Sequence, residues 1–141
     1  MAAGVGKRMR PVTLQTPKPL VKVNGIRMID TVIRGLHDNG IFEIYVVVGY
    51  KKEQFYNLPN EYPGLVLIEN ISSLYVARDY ISEAMILDGD QVIYNVSVLN
   101  PEFKKSGYNS VWTDLKTNEW VQTVENGVVT SGSRSGGKKG W

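Results

Sequence analysis

The first half of the chain alternates between stretches with helical spacing and continuous apolar runs. Between residues 28 and 36, apolar side chains recur at helical spacing: Met28, Ile29, Val32, Ile33 and Leu36. This spacing predicts one helix with a single buried stripe, which Asn39 and Gly40 end. Residues 20–23 predict a short extended piece before it, and Gly25 predicts a turn into the helix.

Apolar runs without helical spacing predict the strands. EIYVVV at 43–48 is nearly continuous and rich in β-branched residues, as is typical of a strand covered on both faces in a parallel sheet. Residues 65–68 and 84–87 predict two further buried strands. KKEQFYNL at 51–58 and ISSLYVARDYI at 71–81 predict two short helices. Strands that alternate with helices predict the α/β class.

The last third of the chain has a different pattern. Residues 96–105 predict a short helix, broken or begun at Pro101, and residues 108–114 alternate like a strand. Asn126-Gly127 stands between two alternating runs and is a strong signal for a β-hairpin. A hairpin after parallel units predicts a mixed, mainly parallel sheet flanked by helices, within a single domain that spans residues 1–141.

Composition narrows the class of protein. A chain of 141 residues with 43% hydrophobic content is long enough for one globular domain with a core. The absence of cysteine excludes disulfides, zinc-thiolate sites and thiol nucleophiles. The single histidine, His37, has no companion residue. We therefore expect a partly exposed imidazole that meets the last helix carbonyls, rather than a ligand or a catalytic base.

Charge and hydropathy argue against two classes of partner. The net charge of +2 is too mild to predict binding to nucleic acid, and no run approaches the roughly 18 apolar residues of a membrane span. No signal peptide is recognisable, so we expect a cytoplasmic protein. Cations cluster in the first stretch: Lys7, Arg8, Arg10, Lys18 and Lys22. This cluster favours a small polyanion as the ligand, whereas nothing in the sequence predicts an oligomeric state.

The opening stretch, MAAGVGKRMRPVTLQTPK, combines these cations with small residues. Four residues have almost no side-chain bulk: Ala2, Ala3, Gly4 and Gly6. Several backbone N–H groups can therefore close on a phosphate. Pro17 and Pro19 stiffen the backbone around Lys18, and a rigid cation suits phosphoryl transfer. The stretch predicts a triphosphate cradle, although Gly-x-Gly also occurs in ordinary tight turns and a basic, glycine-rich terminus is often a tail.

Asp88-Gly89-Asp90 follows the strand predicted over residues 84–87. Two carboxylates at the C-terminal end of a central strand suit Mg²⁺, which prefers a few carboxylate oxygens, several waters and substrate phosphates. A plain Asp-Gly turn is the alternative. The sequence therefore indicates a candidate metal site at these two aspartates.

The compound pattern A-A-G-x-G-x-R-M-x-P-x-T, followed by P-K-P-L, resembles the signature of the sugar-phosphate nucleotidylyltransferase superfamily. It is neither a Walker loop, which requires Gly-Lys-Ser/Thr, nor the dinucleotide fingerprint, which requires a third glycine. The resemblance implies a Rossmann-like sheet in which this loop follows the first strand. Because the pattern begins at Met1, we expect that strand to precede Met1 and more of the catalytic domain to follow Trp141.

The resemblance also implies roles for individual residues. Asp90 matches the aspartate that is the first ligand of Mg²⁺, with Asp88 supporting it. Arg8 would stabilise the departing pyrophosphate, and Lys18 would neutralise charge at the α-phosphoryl group or the incoming phosphate. The expected nucleotide contacts are Ala2, Ala3, Gly4, Gly6, Lys7, Arg8, Asn70 and Ser73. The family also supplies a second metal-binding aspartate late in the domain, which no residue here clearly matches.

Four segments resemble the bacterial CTP:phosphocholine cytidylyltransferase branch of that superfamily: SLYVARDY, ILDGDQ, TNEW at 117–120 and SGGKKGW. The resemblance implies transfer of CMP from CTP to phosphocholine by in-line attack on the α-phosphate. Selective binding of a quaternary ammonium group requires aromatic faces, and Trp120, with Glu119 beside it, is the preferred choline-contacting residue. Trp112 and Tyr50 are weaker candidates. In an alternating strand Glu119 and Trp120 point to opposite faces, so both contact the ligand only if a bulge intervenes.

Three other interpretations stay open. A sugar-1-phosphate nucleotidylyltransferase that uses UTP or dTTP would share the cradle, Lys18 and Asp90. A cytidylyltransferase for another aminoalkyl phosphate or phosphonate, such as 2-aminoethylphosphonate, would need acceptors for an –NH₃⁺ group in place of an aromatic cage. A nucleotide-binding regulatory domain would keep the cradle without catalysis, and Mg²⁺-dependent release of pyrophosphate distinguishes it from the enzymes.

Overall fold

The computed structural model describes residues 1–69, 78–80, 82–108 and 121–133. The chain divides into two compact units, Met1–Glu102 and Phe103–Trp141; the prediction of a single domain stays a prediction. In chain order the described helices and strands are β1 (Lys22–Val23), β2 (Ile26–Arg27), α1 (Met28–Asp38), β3 (Ile44–Val48), α2 (Leu58–Glu61), β4 (Leu65–Glu69), β5 (Val121–Glu125) and β6 (Val128–Ser133). Short 3-10 turns accompany them at Lys7–Met9, Val12–Leu14, Lys18–Leu20, Lys52–Phe55, Arg78–Tyr80 and Val96–Leu99.

Helix α1 follows the antiparallel pair of β1 and β2 and buries the predicted apolar stripe. The Nδ2 of Asn39 closes its last turn by donating to a carbonyl of the preceding turn at 2.8 Å. Gly40 follows with a φ of +77°, so the predicted helix and its stop are confirmed. The extended piece predicted over 20–23 begins at Val21 and pairs as a strand from Lys22, because Leu20 belongs to a 3-10 turn.

His37 lies near the end of α1 and packs against aromatic rings. Its ring stacks on Phe42 with 4.8 Å between centroids and meets Tyr62 edge-on at 6.0 Å. The Nε2 atom is buried without a hydrogen-bond partner. The predicted partial exposure of the imidazole is confirmed, whereas the expected hydrogen bond to the helix carbonyls is not made by Nε2.

Strands β3 and β4 form a parallel pair with a continuous register. In β3 the successive residues 46–48 are all buried, which requires cover on both faces of the strand. This confirms the prediction for residues 43–48. In β4 Leu65 is buried, but Val66 is 49% exposed, so the prediction of a buried strand is wrong there. The second edge of β4 has no strand partner among the described residues.

The first residues of the chain extend the parallel arrangement beyond β3. Ala2 pairs in parallel with Val48, and its N–H donates to the carbonyl of Val47 at 2.9 Å. The N–H of Tyr50 donates to the carbonyl of Ala3 at 3.3 Å. The glycine-rich loop therefore leaves the sheet at the carboxyl end of β3, the edge at which open α/β sheets bind ligands.

Residues 84–87 do not form the strand predicted for them. The Met1 amino group donates to the carbonyl of Leu87, and the N–H of Gly89 donates to the carbonyl of Met1 at 2.9 Å. Within the described ranges the segment is thus paired only at its carboxyl end, which is too little for a ladder. This pairing nevertheless brings Asp90 to the same edge of the sheet as the glycine-rich loop.

Two helix predictions are right in place and wrong in extent. The helix predicted over 51–58 is a 3-10 turn followed by α2. The helix predicted over 96–105 ends at Leu99, and Asn100 has an extended backbone with φ −59° and ψ 126°. The following proline disfavours the helical conformation at that position. None of the helices in the described part of the chain is long and apolar enough to cross a bilayer.

In the second unit β5 and β6 form the predicted hairpin. Asn126 and Gly127 connect the strands with φ angles of +52° and +77°, as a type I′ turn requires. The register shifts between Thr123 and Val124, which is typical of a β-bulge. The hairpin is confirmed, whereas most of the strand predicted over 108–114 lies outside the described residues.

Gly64, which precedes β4, packs closely against Phe42, and Gly40 has the same backbone conformation without such a contact. Gly40 and Gly64 have φ angles of +77° and +78°, so alanine is strained at both positions. A Cβ at Gly64 would lie 2.1 Å from the carbonyl oxygen of Phe42, whereas a Cβ at Gly40 would meet no atom within 4 Å. In urea denaturation, Gly64→Ala should lower the free energy of unfolding by about 1 to 2 kcal/mol more than Gly40→Ala does. Equal losses would contradict a role for this contact.

Candidate active site

The glycine-rich loop turns sharply at Gly6. Its φ of +62° and ψ of 39° are the left-handed conformation that favours glycine. Its carbonyl accepts two hydrogen bonds, from the Met9 N–H at 3.0 Å and from the Thr13 hydroxyl at 2.8 Å. The side chains of Lys7 and Arg8 are exposed in the 3-10 turn that follows. The predicted cradle is thus an ordered turn with cations at its surface.

Lys18 and Asp90 meet in an ion pair. Lys18 Nζ lies 2.6 Å from Asp90 Oδ2, and each side chain is about one-third exposed. Pro17 and Pro19 flank the lysine and are buried. The backbone around the lysine is held further by the N–H of Leu20, which donates to the Pro17 carbonyl at 2.9 Å. The structure therefore joins two residues that were predicted separately, from distant parts of the sequence.

A small cavity lies beside this ion pair. It has a volume of about 60 Å³ and is lined by Met1, Ala2, Gly4, Gly6, Lys18, Pro19 and Asp90. Most of these residues were predicted to belong to the site; Met1 and Pro19 were not. On this measure about 10–15 Å³ is enough for one water molecule, so the cavity has room for a few waters or a few phosphate oxygens. A bound nucleotide would extend well beyond it.

The fit of a magnesium ion depends on Asp90. Within the described ranges no group of three or more histidine, aspartate or glutamate side chains could hold a metal ion by itself. Mg²⁺ is usually bound through one or two carboxylates together with waters and substrate phosphates, so one carboxylate at a phosphate-sized cavity fits it. Burial lowers the pKa of the Met1 amino group at this cavity, and Asp88 and Asp90 oppose that shift through their negative charge.

The other predicted site residues fall into two groups. Ala3 is half-buried between the lining residues Ala2 and Gly4, and Lys7 and Arg8 lie in the turn after the loop. Four predicted contacts lie outside the described residues: Asn70, Ser73, Glu119 and Trp120. Their contacts with the nucleotide and with choline stay predictions, as does that of Trp112.

Two residues without an assigned role in the predicted cradle support it. Thr13 is 1% exposed, and its carbonyl accepts the hydroxyl of Tyr50 at 2.9 Å. Thr13 is the last residue of the compound pattern, and its place there was the available signal. Tyr50 was considered as a weaker contact for choline, but its hydroxyl is engaged with the backbone.

The fold matches a solved structure over nearly the whole chain. The structure of CTP:phosphocholine cytidylyltransferase from Streptococcus pneumoniae aligns with a TM-score of 0.87 at 33% identity, over 99% of this chain and 64% of that one. The family model described as nucleotidyl transferase matches residues 1–62, which contain the loop and Lys18. The predicted resemblance to the nucleotidyl transferases is confirmed by both comparisons. The predicted fold, an α/β Rossmann-like sheet that is mainly parallel and flanked by helices, is confirmed by this match.

Two relatives within the nucleotidyl transferases carry the names of cytidylyltransferases. A 2-aminoethylphosphonate cytidylyltransferase of Lancefieldella rimae is 44% identical over 86% of this chain and 53% of its own length. A choline-phosphate cytidylyltransferase of Streptococcus pneumoniae is 36% identical over 85% of this chain and 55% of its own length. The chain thus spans about half the length of these relatives. The resemblance to cytidylyltransferases is confirmed.

Proposed function

We propose that the protein is a cytidylyltransferase that transfers CMP from CTP to phosphocholine, giving CDP-choline and pyrophosphate. The observation that carries the proposal is the meeting of Lys18 and Asp90 at a cavity lined by the small residues of the loop. The site combines an ammonium group, a carboxylate and a backbone with little side-chain bulk. It lies at the carboxyl end of parallel strands, where open α/β sheets bind nucleotides. The names of the relatives support CTP as the nucleotide.

The proposed reaction is an in-line displacement. A phosphate oxygen of the acceptor attacks the α-phosphorus of CTP, and the new P–O bond forms as the bond to the pyrophosphate oxygen breaks. Pyrophosphate leaves with the electron pair of the broken bond. The acceptor phosphate is already an anion, so no general base is required. Catalysis then depends on positioning and on neutralisation of charge.

The residues of the cavity have distinct roles in this scheme. Lys18 neutralises charge at the α-phosphoryl group or the incoming phosphate, and its ion pair with Asp90 keeps the ammonium at the cavity. Arg8 stabilises the departing pyrophosphate from the exposed turn after Gly6. The backbone of residues 2–4 contacts the pyrimidine and the ribose.

The cofactor in this proposal is Mg²⁺. Asp90 would hold it together with oxygens of the triphosphate, with Asp88 in support. When bound, the ion supplies positive charge that neutralises the triphosphate. Because Lys18 contacts the same carboxylate, it remains close to any phosphate that binds there.

A second acceptor, 2-aminoethylphosphonate, is favoured by the name of the relative that is 44% identical. The two acceptors differ at the nitrogen. A quaternary ammonium cannot donate a hydrogen bond and is held by aromatic faces, which gives Trp120 and Glu119 their proposed role. A primary ammonium donates three hydrogen bonds and requires oxygen acceptors.

The choice of substrates is tested by Mg²⁺-dependent release of pyrophosphate. CTP, UTP and dTTP are each measured against phosphocholine, 2-aminoethylphosphonate and glucose 1-phosphate. We expect turnover of CTP with phosphocholine to exceed every other combination. If CTP is used preferentially with 2-aminoethylphosphonate, the proposed acceptor is wrong and the proposed enzyme class, a cytidylyltransferase, is retained. Turnover only with glucose 1-phosphate, or nucleotide binding without any turnover, would contradict the proposal.

A further inference from the structure

We infer that Thr13 and Tyr50 are positioning residues that hold the Gly6 turn in the conformation that binds the nucleotide triphosphate. This inference rests on the proposed nucleotide-dependent function. It is independent of the identity of the acceptor. Neither residue lines the cavity, so both act through the backbone of the loop.

Thr13 reverses the usual pattern of burial. Within the 3-10 turn Val12–Leu14 the hydroxyl-bearing residue is 1% exposed, whereas its apolar neighbours Val12 and Leu14 are 52% and 51% exposed. Polar side chains are normally the exposed ones, and a buried hydroxyl requires a hydrogen-bond partner. The partner here is the carbonyl of Gly6, at 2.8 Å from Oγ1. The turn is therefore oriented by its contact with the loop.

Thr13 contacts the loop through its methyl group as well. A Cβ built on Gly6 would lie 3.0 Å from Thr13 Cγ2 and 3.2 Å from Lys18 Cβ. The space that a side chain at Gly6 would occupy is therefore filled by the Thr13 methyl group and the stem of Lys18. One threonine thus restrains both the carbonyl and the α-carbon of the residue at which the cradle turns, next to the lysine proposed to act on phosphate.

Tyr50 connects this contact to the sheet. It follows the carboxyl end of β3, its hydroxyl donates to the Thr13 carbonyl at 2.9 Å, and its N–H donates to the Ala3 carbonyl at 3.3 Å. The series of hydrogen bonds runs from Tyr50 through Thr13 to Gly6. Together with the bond from the Tyr50 N–H to Ala3, this series links the end of β3 to both ends of the glycine-rich loop. A loop that is restrained at both ends needs little reorganisation when a phosphate binds to it.

Matched variants distinguish an effect on the position of the loop from an effect on the stability of the fold. Thr13→Val removes the hydroxyl and keeps the shape, whereas Thr13→Ser keeps the hydroxyl, and Tyr50→Phe removes one donor. Thr31→Val is the control, because it also removes a threonine hydroxyl. That hydroxyl lies on α1, donates to the carbonyls of Met28 at 2.8 Å and Gln91 at 3.4 Å, and accepts from the Ile93 N–H at 3.0 Å; none of these groups belongs to the glycine-rich loop.

The experiment measures, for each purified variant with Mg²⁺, the dissociation constants of CTP and UTP, the midpoint of thermal unfolding, and kcat and KM with the acceptor that the wild-type protein turns over fastest. We expect Thr13→Val to weaken CTP binding about tenfold, as the loss of one hydrogen bond allows, and to lower kcat while the KM of the acceptor stays within about twofold. Thr13→Ser should restore binding, Tyr50→Phe should fall between them, and Thr31→Val should lower the midpoint without changing CTP binding.

Wild-type affinity and kcat in a folded Thr13→Val protein would overturn the inference. The inference would also be overturned if CTP affinity fell in proportion to the loss of thermal stability, and to the same degree, in Thr13→Val and Thr31→Val. If the wild-type protein binds UTP and not CTP, the proposed function fails while the comparison of variants is made with UTP. If it binds neither nucleotide, both fail.

Discussion

Replacing Lys18 by methionine should lower kcat for CMP transfer by about 100-fold or more. A cation placed against developing phosphate charge in a partly enclosed site is worth several kcal/mol in the transition state, and methionine removes the charge while keeping the unbranched stem. The stem matters because Lys18 Cβ packs beside Gly6, 3.2 Å from the position that a Cβ on Gly6 would take. The measurement is Mg²⁺-dependent release of pyrophosphate at saturating CTP and acceptor.

Lys22→Met is the matched control for this experiment. Lys22 is exposed on β1 and does not line the cavity, so its loss removes the same charge from the same region of the sequence. We expect kcat within about twofold of the wild-type value for the control. The Lys18–Asp90 pair is partly exposed, so Lys18→Met should unfold at nearly the wild-type temperature. A wild-type rate in Lys18→Met would rule out the proposed role of the lysine.

Elements that depend on neighbouring residues could be predicted from the sequence. The apolar stripe of α1 repeats with the helical period, so it specifies which face is buried without reference to the rest of the chain. The type I′ turn at Asn126-Gly127 is equally local, because these two residue types tolerate a positive φ. The continuous run of β3 indicated that both faces of the strand are covered, and the structure confirms it.

Features that depend on distant partners were less predictable. Residues 84–87 have the composition of a strand, but a ladder also requires a partner of matching length, and only Met1 pairs with this segment among the described residues. Burial of the Thr13 hydroxyl follows from the position of Gly6, which a threonine in a pattern does not reveal. The Lys18–Asp90 pair likewise depends on how the sheet brings two loops to one edge.

The candidate site also has a part that could be predicted from local sequence and a part that could not. The sequence predicted the chemical roles of the small loop residues, Lys18 and Asp90. The structure shows that these residues line one cavity. The acceptor was inferred from resemblance, because the residues proposed to contact choline, Glu119 and Trp120, share no local pattern that distinguishes a ligand-binding aromatic from a core aromatic. Selectivity between two aminoalkyl acceptors therefore requires the substrate comparison.

The largest effect on stability is expected at Arg27, where replacement by methionine should lower the free energy of unfolding by about 3 kcal/mol. Arg27 Nε donates to both carboxylate oxygens of Asp30, at 2.9 and 2.8 Å, and its terminal nitrogen contacts Glu61 of α2. Asp30 is only 5% exposed. Loss of the guanidinium would leave that carboxylate buried without its cation, which costs far more than the loss of an exposed pair. Urea denaturation measures the difference.

Lys52→Met provides the control, because the Lys52–Glu69 pair is well exposed and water replaces the lost partner; we expect little change in its stability.

The effect at Arg27 should also depend on pH. Hydrogen bonds from Arg27 and then Asn57 hold the pKa of Glu61 below its ordinary value of 4.5. This contribution is present above that value and is lost as the pH falls through the lower, folded pKa. The stability gap between wild type and Arg27→Met should therefore narrow below about pH 4.5. A gap no larger than that of Lys52→Met at neutral pH would show that water, rather than Arg27, compensates the charge of Asp30.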